Sequence, residues 1–261
     1  MSMIFETYNI LSENQSNRLF NGVLAASQVF GILTVLSAAF WMGGYNEGGF
    51  AWSSDPEKQF HYHPTLMSMG LVFLFGEAAI VYRVFRHEKK RFTKLLHLSI
   101  HSSALIFMLI ALKAVWDSHD YHTAPDGTLA PIPNLYSLHS WIGIITVVSY
   151  CLQYVFGFVT FFFPGLNMDV RKFSLPFHQL FGVILMIAVT ATALMGIAER
   201  SAWKHTCWTK QGTLCGQQMM ANFLGLNIVG YTSCVVFIVM NPRWKRKPLP
   251  EEECLYPLSS D

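Results

Sequence analysis

Six long apolar segments constrain the fold of this chain more than any other feature. A helix that crosses a bilayer needs about 20 mostly apolar residues, and such segments lie at 20–42, 62–85, 95–116, 135–163, 174–199 and 219–241. Hydrophobic residues make up 52% of the 261 residues and charged residues 13%, whereas soluble domains average roughly 25% charged residues. We therefore predict an all-α membrane protein with six transmembrane helices, organised as one domain over 1–261 with its core at about 20–247.

Charge and cysteine content exclude several other classes of protein. A formal net charge of +2 is too small to attract a polyanion, so we expect no nucleic acid as a partner. The partner that the six apolar segments predict is the lipid bilayer. Five cysteines in a chain of this length are too few for a disulfide-stabilised scaffold. Cys207 and Cys215 share one predicted loop, and their pairing stays open because geometry rather than sequence decides it.

Lysine and arginine are divided unequally between the two sets of connecting segments. Cytoplasmic loops carry an excess of these residues, and one set holds the cations of 86–94, 171–172 and 243–247 together with Arg18 of the N-terminal tail. The opposite set holds Lys58, Arg200, Lys204 and Lys210. We therefore predict a multi-pass protein whose N- and C-terminal tails are both cytoplasmic.

Four histidines recur at a nearly constant spacing. His63, His101, His139 and His178 are separated by 38, 38 and 39 residues, about the length of one predicted helix with its loop. Because successive helices reverse direction, we expect two levels, with His63 and His139 near the outer face and the other two near the cytoplasmic face. Ionisable groups inside membrane-crossing helices are costly and are functional by default.

Metal binding is the chemistry that best explains paired imidazoles at two levels. Imidazole binds Zn, Cu, Fe and Ni, but a zinc site usually recruits further Cys or carboxylate ligands, and none recurs beside these histidines. A haem iron needs only two axial imidazoles, because the porphyrin supplies the other four nitrogens. We therefore predict two haems in a central bundle of the second to fifth helices. Ligation at both axial positions disfavours oxygen binding and indicates electron transfer.

Cations are predicted to flank the inner level. Lys94 and Arg171 each precede an inner histidine by seven residues, which is two helical turns on one face. His97 lies one turn below His101, so we predict a cationic mouth at which a small organic anion docks. Arg83 ends the second predicted helix at this level.

Acidic residues, rather than cations, are predicted at the outer level. Glu199 ends the fifth predicted helix there, and the loop 117–135 contains no Lys or Arg. This loop is typical of a cation or acceptor site, and its acidic residues and histidines are Asp117, His119, Asp120, His122 and Asp126.

Four stretches of the chain are distinctive: VYRVFRHEKKRFTKLLH, NLYSLHSWIGI, FFFPG and ATALMG. Together they resemble the cytochrome b561 family, and most of all its chromaffin-granule type, and the resemblance extends over about residues 20–247. It implies a six-helix protein, usually a homodimer, with two b-type haems. It also implies electron transfer from cytoplasmic ascorbate to an acceptor across the membrane, which is monodehydroascorbate in the vesicle type and ferric iron in reductase relatives. A secretory-vesicle membrane is accordingly favoured over a plasma or endolysosomal membrane.

The same resemblance implies roles for individual residues. The haem ligands are His63 with His139 and His101 with His178, the pairs that the spacing predicts. Lys94 and Arg171 fall on ascorbate-binding positions, and the residue spacing, rather than the resemblance, adds His97 as a further donor-side contact. Arg83 matches an arginine beside the inner haem, and His119 matches a histidine near the acceptor. The positions matched beside the outer haem are Asn134, Leu135, Tyr136, Ser137 and Glu199.

Departures from the family pattern leave the acceptor open. Leu98 stands where many relatives have a second lysine, so donor binding depends on Lys94, Arg171 and His97. His122 and the outer-loop acids are not part of the pattern, and they keep a ferric reductase of the same architecture as an alternative. A non-redox transporter of zinc or manganese is an alternative from another class, and a haem-free structural subunit is a third.

Overall fold

The computed structural model describes residues 11–45, 48–204, 207–250 and 252, and the parts of the predicted cytoplasmic tails beyond them lie outside this description. In the described residues, six helices are long and apolar enough to cross a membrane. We label them α1 to α6; they are Glu13–Gly43, Pro56–Val84, Lys90–Asp120, Leu138–Phe162, Met168–Lys204 and Gly216–Met240. The predicted all-α fold class with six spans is confirmed.

The helix boundaries follow local capping chemistry rather than hydropathy alone. α1 begins before the first apolar stretch, because Ser12 and Gln15 form a capping box that pairs the free N–H groups of the first turn. The prediction that α4 starts at 135 was wrong. Leu135 has a φ of 56°, in the left-handed region that no helix residue adopts, and Ser137 caps the helix by accepting a hydrogen bond from Ser140 N at 3.2 Å.

Two helices contain π-helical turns that the sequence did not predict. Ser68–Leu74 interrupts α2 and Phe158–Phe162 ends α4. In the first, the hydroxyl of Tyr231 from α6 donates to the carbonyl of Phe73 at 2.7 Å. Such turns widen the helix at a single point and are frequent near functional sites, and both lie on helices that carry a predicted ligand.

α6 packs in the angle between α1 and α2. The Tyr231 ring fills the space beside Gly31 and Gly76, and a Cβ on Gly76 would lie 2.4 Å from its hydroxyl oxygen. Small residues allow this close approach of helices in membranes. The half-buried carboxylate of Glu77 accepts a hydrogen bond from Gln28 of α1 at 2.9 Å, and its Oε1 lies 2.9 Å from the hydroxyl oxygen of Tyr231, so it contacts both neighbouring helices.

Two pairs of helices position the candidate site. α2 packs against α3, and α4 packs against α5. His63 from the first pair faces His139 from the second. Beyond α5, a disulfide joins Cys207 to Cys215, which answers the question that the sequence left open.

Candidate functional site

The outer level brings together His63 of α2 and His139 of α4. Their ring centroids are 6.2 Å apart and the ring planes cross at 85°. Nδ1 of His63 lies 3.3 Å from the carbonyl oxygen of Ala111, and Nδ1 of His139 lies 2.9 Å from that of Thr192. Because a carbonyl only accepts hydrogen bonds, Nδ1 carries the proton in both rings, and Nε2 keeps a lone pair for a metal.

This geometry fits an axially ligated haem. Metal–imidazole bonds are about 2 Å long, so a centroid separation of 6.2 Å accommodates one metal ion between the rings. Gly196 leaves room for the His139 ring, and the adjoining cavity is lined mainly by apolar side chains. Within the described part of the chain, no three His, Cys, Asp or Glu side chains are grouped closely enough to bind a metal ion by themselves.

The cavity beside the outer pair collects the residues that the resemblance assigned to this level. His119 and Glu199 line it, and so do the four consecutive residues Asn134, Leu135, Tyr136 and Ser137. The hydroxyl of Ser137 donates to Oε2 of Glu199 at 3.2 Å. That carboxylate therefore lies at the N-terminus of α4, where the helix dipole favours a negative charge.

Arg200 is a residue of this cavity that the sequence analysis treated only as a loop charge. It lines the same cavity as Glu199, and its guanidinium lies 4.9 Å from the centroid of the Phe60 ring. The sequence feature that could have predicted this position is that Arg200 directly follows Glu199 at the end of an apolar segment. Among the residues that the structure describes, Arg200 is the one Lys or Arg that lines this cavity.

His119 has a defined set of partners at the outer end of α3. Its Nδ1 lies 2.9 Å from Oδ1 of Asn134, and Nδ2 of Asn134 donates to Oδ1 of Asp120 at 2.9 Å. The backbone N–H of Ile132 donates to the carbonyl of His119 at 3.0 Å. This bond holds the outer loop against the helix end and keeps Asn134 within reach of His119.

The inner level contains three imidazoles rather than two. The His97 ring centroid is 4.5 Å from that of His101 and 6.3 Å from that of His178. Nδ1 of His97 lies 2.8 Å from the carbonyl oxygen of Ala78, so it is the donor and Nε2 is unprotonated. The structure therefore places His97 next to both predicted inner ligands.

Two polar residues of α4 hold the inner ligands, and the sequence analysis missed both. Nδ1 of His101 lies 2.9 Å from the hydroxyl of Tyr150, which itself donates to the His101 carbonyl at 3.3 Å. The amide nitrogen of Gln153 lies 2.9 Å from Nδ1 of His178 and donates to the carbonyl of His178 at 2.7 Å. An amide nitrogen only donates, so in this arrangement Nδ1 of His178 accepts, and ligation of a metal through Nε2 requires the Gln153 amide to turn its oxygen toward Nδ1. The available signal was a polar pair at i and i+3 within an apolar segment, a spacing that places both on one helix face.

The predicted donor-side cations converge on the turn between α4 and α5. Nζ of Lys94 donates to the carbonyl of Phe161 at 2.9 Å, and Nε of Arg171 donates to the carbonyl of Leu166. Gly165 in this turn has a φ of 76°, and a Cβ there would lie 2.4 Å from Nη2 of Arg171. The FFFPG stretch thus contacts both cations, Lys94 through the carbonyl of Phe161 and Arg171 beside Gly165.

Arg83 is held by a different helix. Its guanidinium donates to the carbonyl of Val239 near the end of α6, where unpaired carbonyls and the helix dipole favour a cation. Arg83 is half-buried, and its predicted role beside an inner haem stays a prediction.

Residues 62–204, which cover most of α2 to α5, match a family model described as eukaryotic cytochrome b561. A putative transmembrane ascorbate-dependent reductase CYB561 homolog of Caenorhabditis elegans is 56% identical over 261 residues, 100% of this chain and 98% of the relative. The transmembrane ascorbate-dependent reductase CYB561 of Homo sapiens is 39% identical over 236 residues, 89% of this chain and 87% of the relative. The plasma membrane ascorbate-dependent reductase CYBRD1 of Xenopus laevis is 36% identical over 245 residues, 92% of this chain and 82% of the relative.

Proposed function

The chain belongs to the eukaryotic cytochrome b561 family, and on that premise we propose that it carries electrons from cytoplasmic ascorbate across a membrane to monodehydroascorbate. It is a transmembrane ascorbate-dependent oxidoreductase, as its relatives are named. Those names do not identify the electron acceptor. Monodehydroascorbate is our proposal, and ferric iron is the alternative.

One observation carries the proposal. His63 and His139 reach each other from two helix pairs, with ring centroids 6.2 Å apart and both Nδ1 atoms bonded to backbone carbonyls. We assign these two residues as ligands of an outer haem b, and His101 with His178 as ligands of an inner haem b. When bound, the haems supply one-electron redox centres without free coordination positions for oxygen.

The donor side suits an organic anion. Ascorbate is a monoanion at neutral pH, and Lys94 and Arg171 offer an ammonium and a guanidinium on the same turn. Each uses one donor on a backbone carbonyl, whereas lysine has three N–H donors and arginine five. The remaining donors bind the enediolate oxygens. Oxidation of the monoanion also releases a proton, which we assign to Nε2 of His97 or to water.

The acceptor side favours an anion over a free ferric ion. Arg200 lines the outer cavity together with Glu199, and its guanidinium is a group there that attracts an anion such as monodehydroascorbate. The outer-loop acids are already engaged, since Asp120 accepts from Asn134 and Asp117 from Lys113. Hydrogen bonds from the hydroxyl and the backbone N–H of Thr128 hold the pKa of the Asp126 carboxyl below its usual range.

We further propose the membrane arrangement and assembly. The Lys and Arg distribution supports cytoplasmic termini. The disulfide between Cys207 and Cys215 supports an oxidising compartment on the opposite side. A secretory-vesicle membrane and a homodimer rest on the family resemblance.

The absorption spectrum of the purified protein tests the haem assignment. We expect a Soret band, two haems per chain and reduction by ascorbate. His139→Leu should retain one haem, whereas His87→Leu, which removes an exposed histidine outside the spans, should retain two. A colourless protein made with ample porphyrin, or two haems in His139→Leu, would contradict the assignment. Zinc or manganese uptake by a colourless protein would favour the transporter alternative.

Sealed vesicles test the acceptor. Vesicles loaded with ascorbate are given either monodehydroascorbate or a ferric chelate on the outer face of the protein. We expect faster oxidation of the haems by monodehydroascorbate. Faster oxidation by the ferric chelate would replace this acceptor with ferric iron and would leave the donor side unaffected.

A further inference from the structure

Asp120, His119 and Asn134 form a chain of hydrogen bonds at the outer cavity. The part that Asp120 plays in this chain is the subject of the inference. Its Oδ1 accepts from Nδ2 of Asn134 at 2.9 Å, and Oδ1 of Asn134 lies 2.9 Å from Nδ1 of His119. His119 and Asn134 line the cavity, whereas Asp120 is exposed at the end of α3. The chain therefore leads from solvent to the cavity wall.

The chemistry of the three groups gives this chain a direction. A carboxylate only accepts hydrogen bonds, so the amide of Asn134 must turn its nitrogen toward Asp120. Its carbonyl oxygen then faces His119, and this oxygen also only accepts. Nδ1 of His119 must therefore carry the proton, and Nε2 is the nitrogen left for a ligand.

We propose that Asp120 is a positioning residue, which acts through Asn134 to make Nε2 of His119 the nitrogen that meets the electron acceptor. The proposal rests on the proposed function. Monodehydroascorbate becomes the ascorbate monoanion by gaining one electron and one proton. The electron comes from cytoplasmic ascorbate, and the proton comes from Nε2 of His119, which takes it from the outer aqueous phase. Nδ1 keeps its own proton and its bond to Asn134 throughout.

Three substitutions at position 120 separate positioning from simple surface polarity. Asp120→Asn keeps a side-chain oxygen that accepts from Asn134, so the chain survives. Asp120→Leu removes the acceptor and leaves the amide free to turn. Asp120→Lys offers only donors, so Asn134 must turn its oxygen toward position 120 and its nitrogen toward His119, which moves the imidazole proton to Nε2.

The rates measured in vesicles should follow this order. For monodehydroascorbate reduction, we expect Asp120→Asn to stay within about twofold of the unsubstituted protein and Asp120→Lys to lower kcat about tenfold or more, in the range of a misplaced general acid. The kcat of Asp120→Leu for monodehydroascorbate reduction should lie between those of the other two variants. Haem reduction by cytoplasmic ascorbate should be unchanged in all three variants, which shows that each is folded and loaded.

Nitrogen-15 NMR of histidine-labelled, dithionite-reduced protein reads the proton position without turnover. The His119 signals are identified by their loss in His119→Gln. We expect the Nδ1–H form in the unsubstituted protein and in Asp120→Asn, and the Nε2–H form in Asp120→Lys. The Nδ1–H form in Asp120→Lys, or an unchanged kcat in that variant, would overturn the proposal. If monodehydroascorbate is not reduced even by the unsubstituted protein, the proposed function fails, and the NMR result still decides the role of Asp120.

Discussion

Gly196 of α5 lies so close to His139 of α4 that a Cβ at position 196 would come within 2.7 Å of Cε1 of the imidazole. Contacts this short are essentially absent between real Cβ atoms and their neighbours, so a side chain at 196 must displace the ring. The His139 ring has little freedom to move, because its Nδ1 is bonded to the carbonyl of Thr192 at 2.9 Å.

Gly196→Ala should therefore disturb the outer level selectively. We expect loss or strong weakening of one of two haems while ascorbate still reduces the other, as measured by haem content per chain and by the reduced-minus-oxidised spectrum. Gly182→Ala on the same helix is the matched control, because a Cβ there meets nothing within 4 Å. Full haem content with an unaltered spectrum in Gly196→Ala would show that His139 does not need this space.

Removal of both cations at the turn between α4 and α5 should impair the donor side. In Lys94→Ala with Arg171→Ala, we expect ascorbate to reduce the haems at least about tenfold more slowly, because hydrogen bonds to charged groups contribute about 1.5–3 kcal/mol each. Stopped-flow absorbance measures this rate, and dithionite should still reduce both haems.

Lys113→Ala serves as the control for that experiment. This lysine lies at the other end of α3 and pairs with Asp117 at 2.8 Å. Ascorbate reduction at the ordinary rate in the double variant would mean that the donor binds elsewhere.

Tyr150→Phe should shift the potential of the inner haem. The Tyr150 hydroxyl accepts from Nδ1–H of His101 at 2.9 Å, and a bond of this type makes a ligating imidazole more basic and favours the oxidised metal. Its loss should raise the midpoint potential, on the order of tens of millivolts, as measured by redox titration. Tyr154→Phe is the control, since the Tyr154 hydroxyl contacts Ser102 at 2.8 Å instead. Equal midpoint potentials in the two variants would show that the Tyr150 hydroxyl does not affect the potential of the inner haem.

The disulfide allows a direct test of orientation. In vesicles that expose the outer face, an impermeant phosphine followed by an impermeant maleimide should label Cys207 and Cys215, and labelling should disappear in Cys207→Ser with Cys215→Ser. The free thiols of Cys151 and Cys234 lie within α4 and α6 and should stay unlabelled. Labelling of the loop from the face that takes up ascorbate would reverse the predicted orientation.

Features that depend on local composition could be predicted from the sequence. Hydrophobic length identifies a membrane-crossing helix without any knowledge of its neighbours, so all six spans were found. The His63 and His139 levels also follow from helix length and reversal. The boundary at Leu138 was missed, because the left-handed Leu135 and the Ser137 cap depend on backbone geometry that hydropathy does not report.

Partner identity across helices was beyond the reach of sequence reasoning. Tyr150 and Gln153 read as ordinary polar residues of an apolar segment, and only the packing of α4 brings them to His101 and His178. The position of His97 beside both inner histidines likewise depends on how the helices pack.

The amino-acid sequence alone determined that this chain crosses a membrane six times and carries imidazoles at two depths, because hydrophobicity and helical rise are properties of each segment. The tertiary structure alone decided which nitrogen His63, His139 and His119 offer, and that both Asn134 and Arg200 reach the outer cavity. Hydrogen-bond direction is set by the partner that folding brings within about 3 Å, and that partner often lies many residues away in the chain.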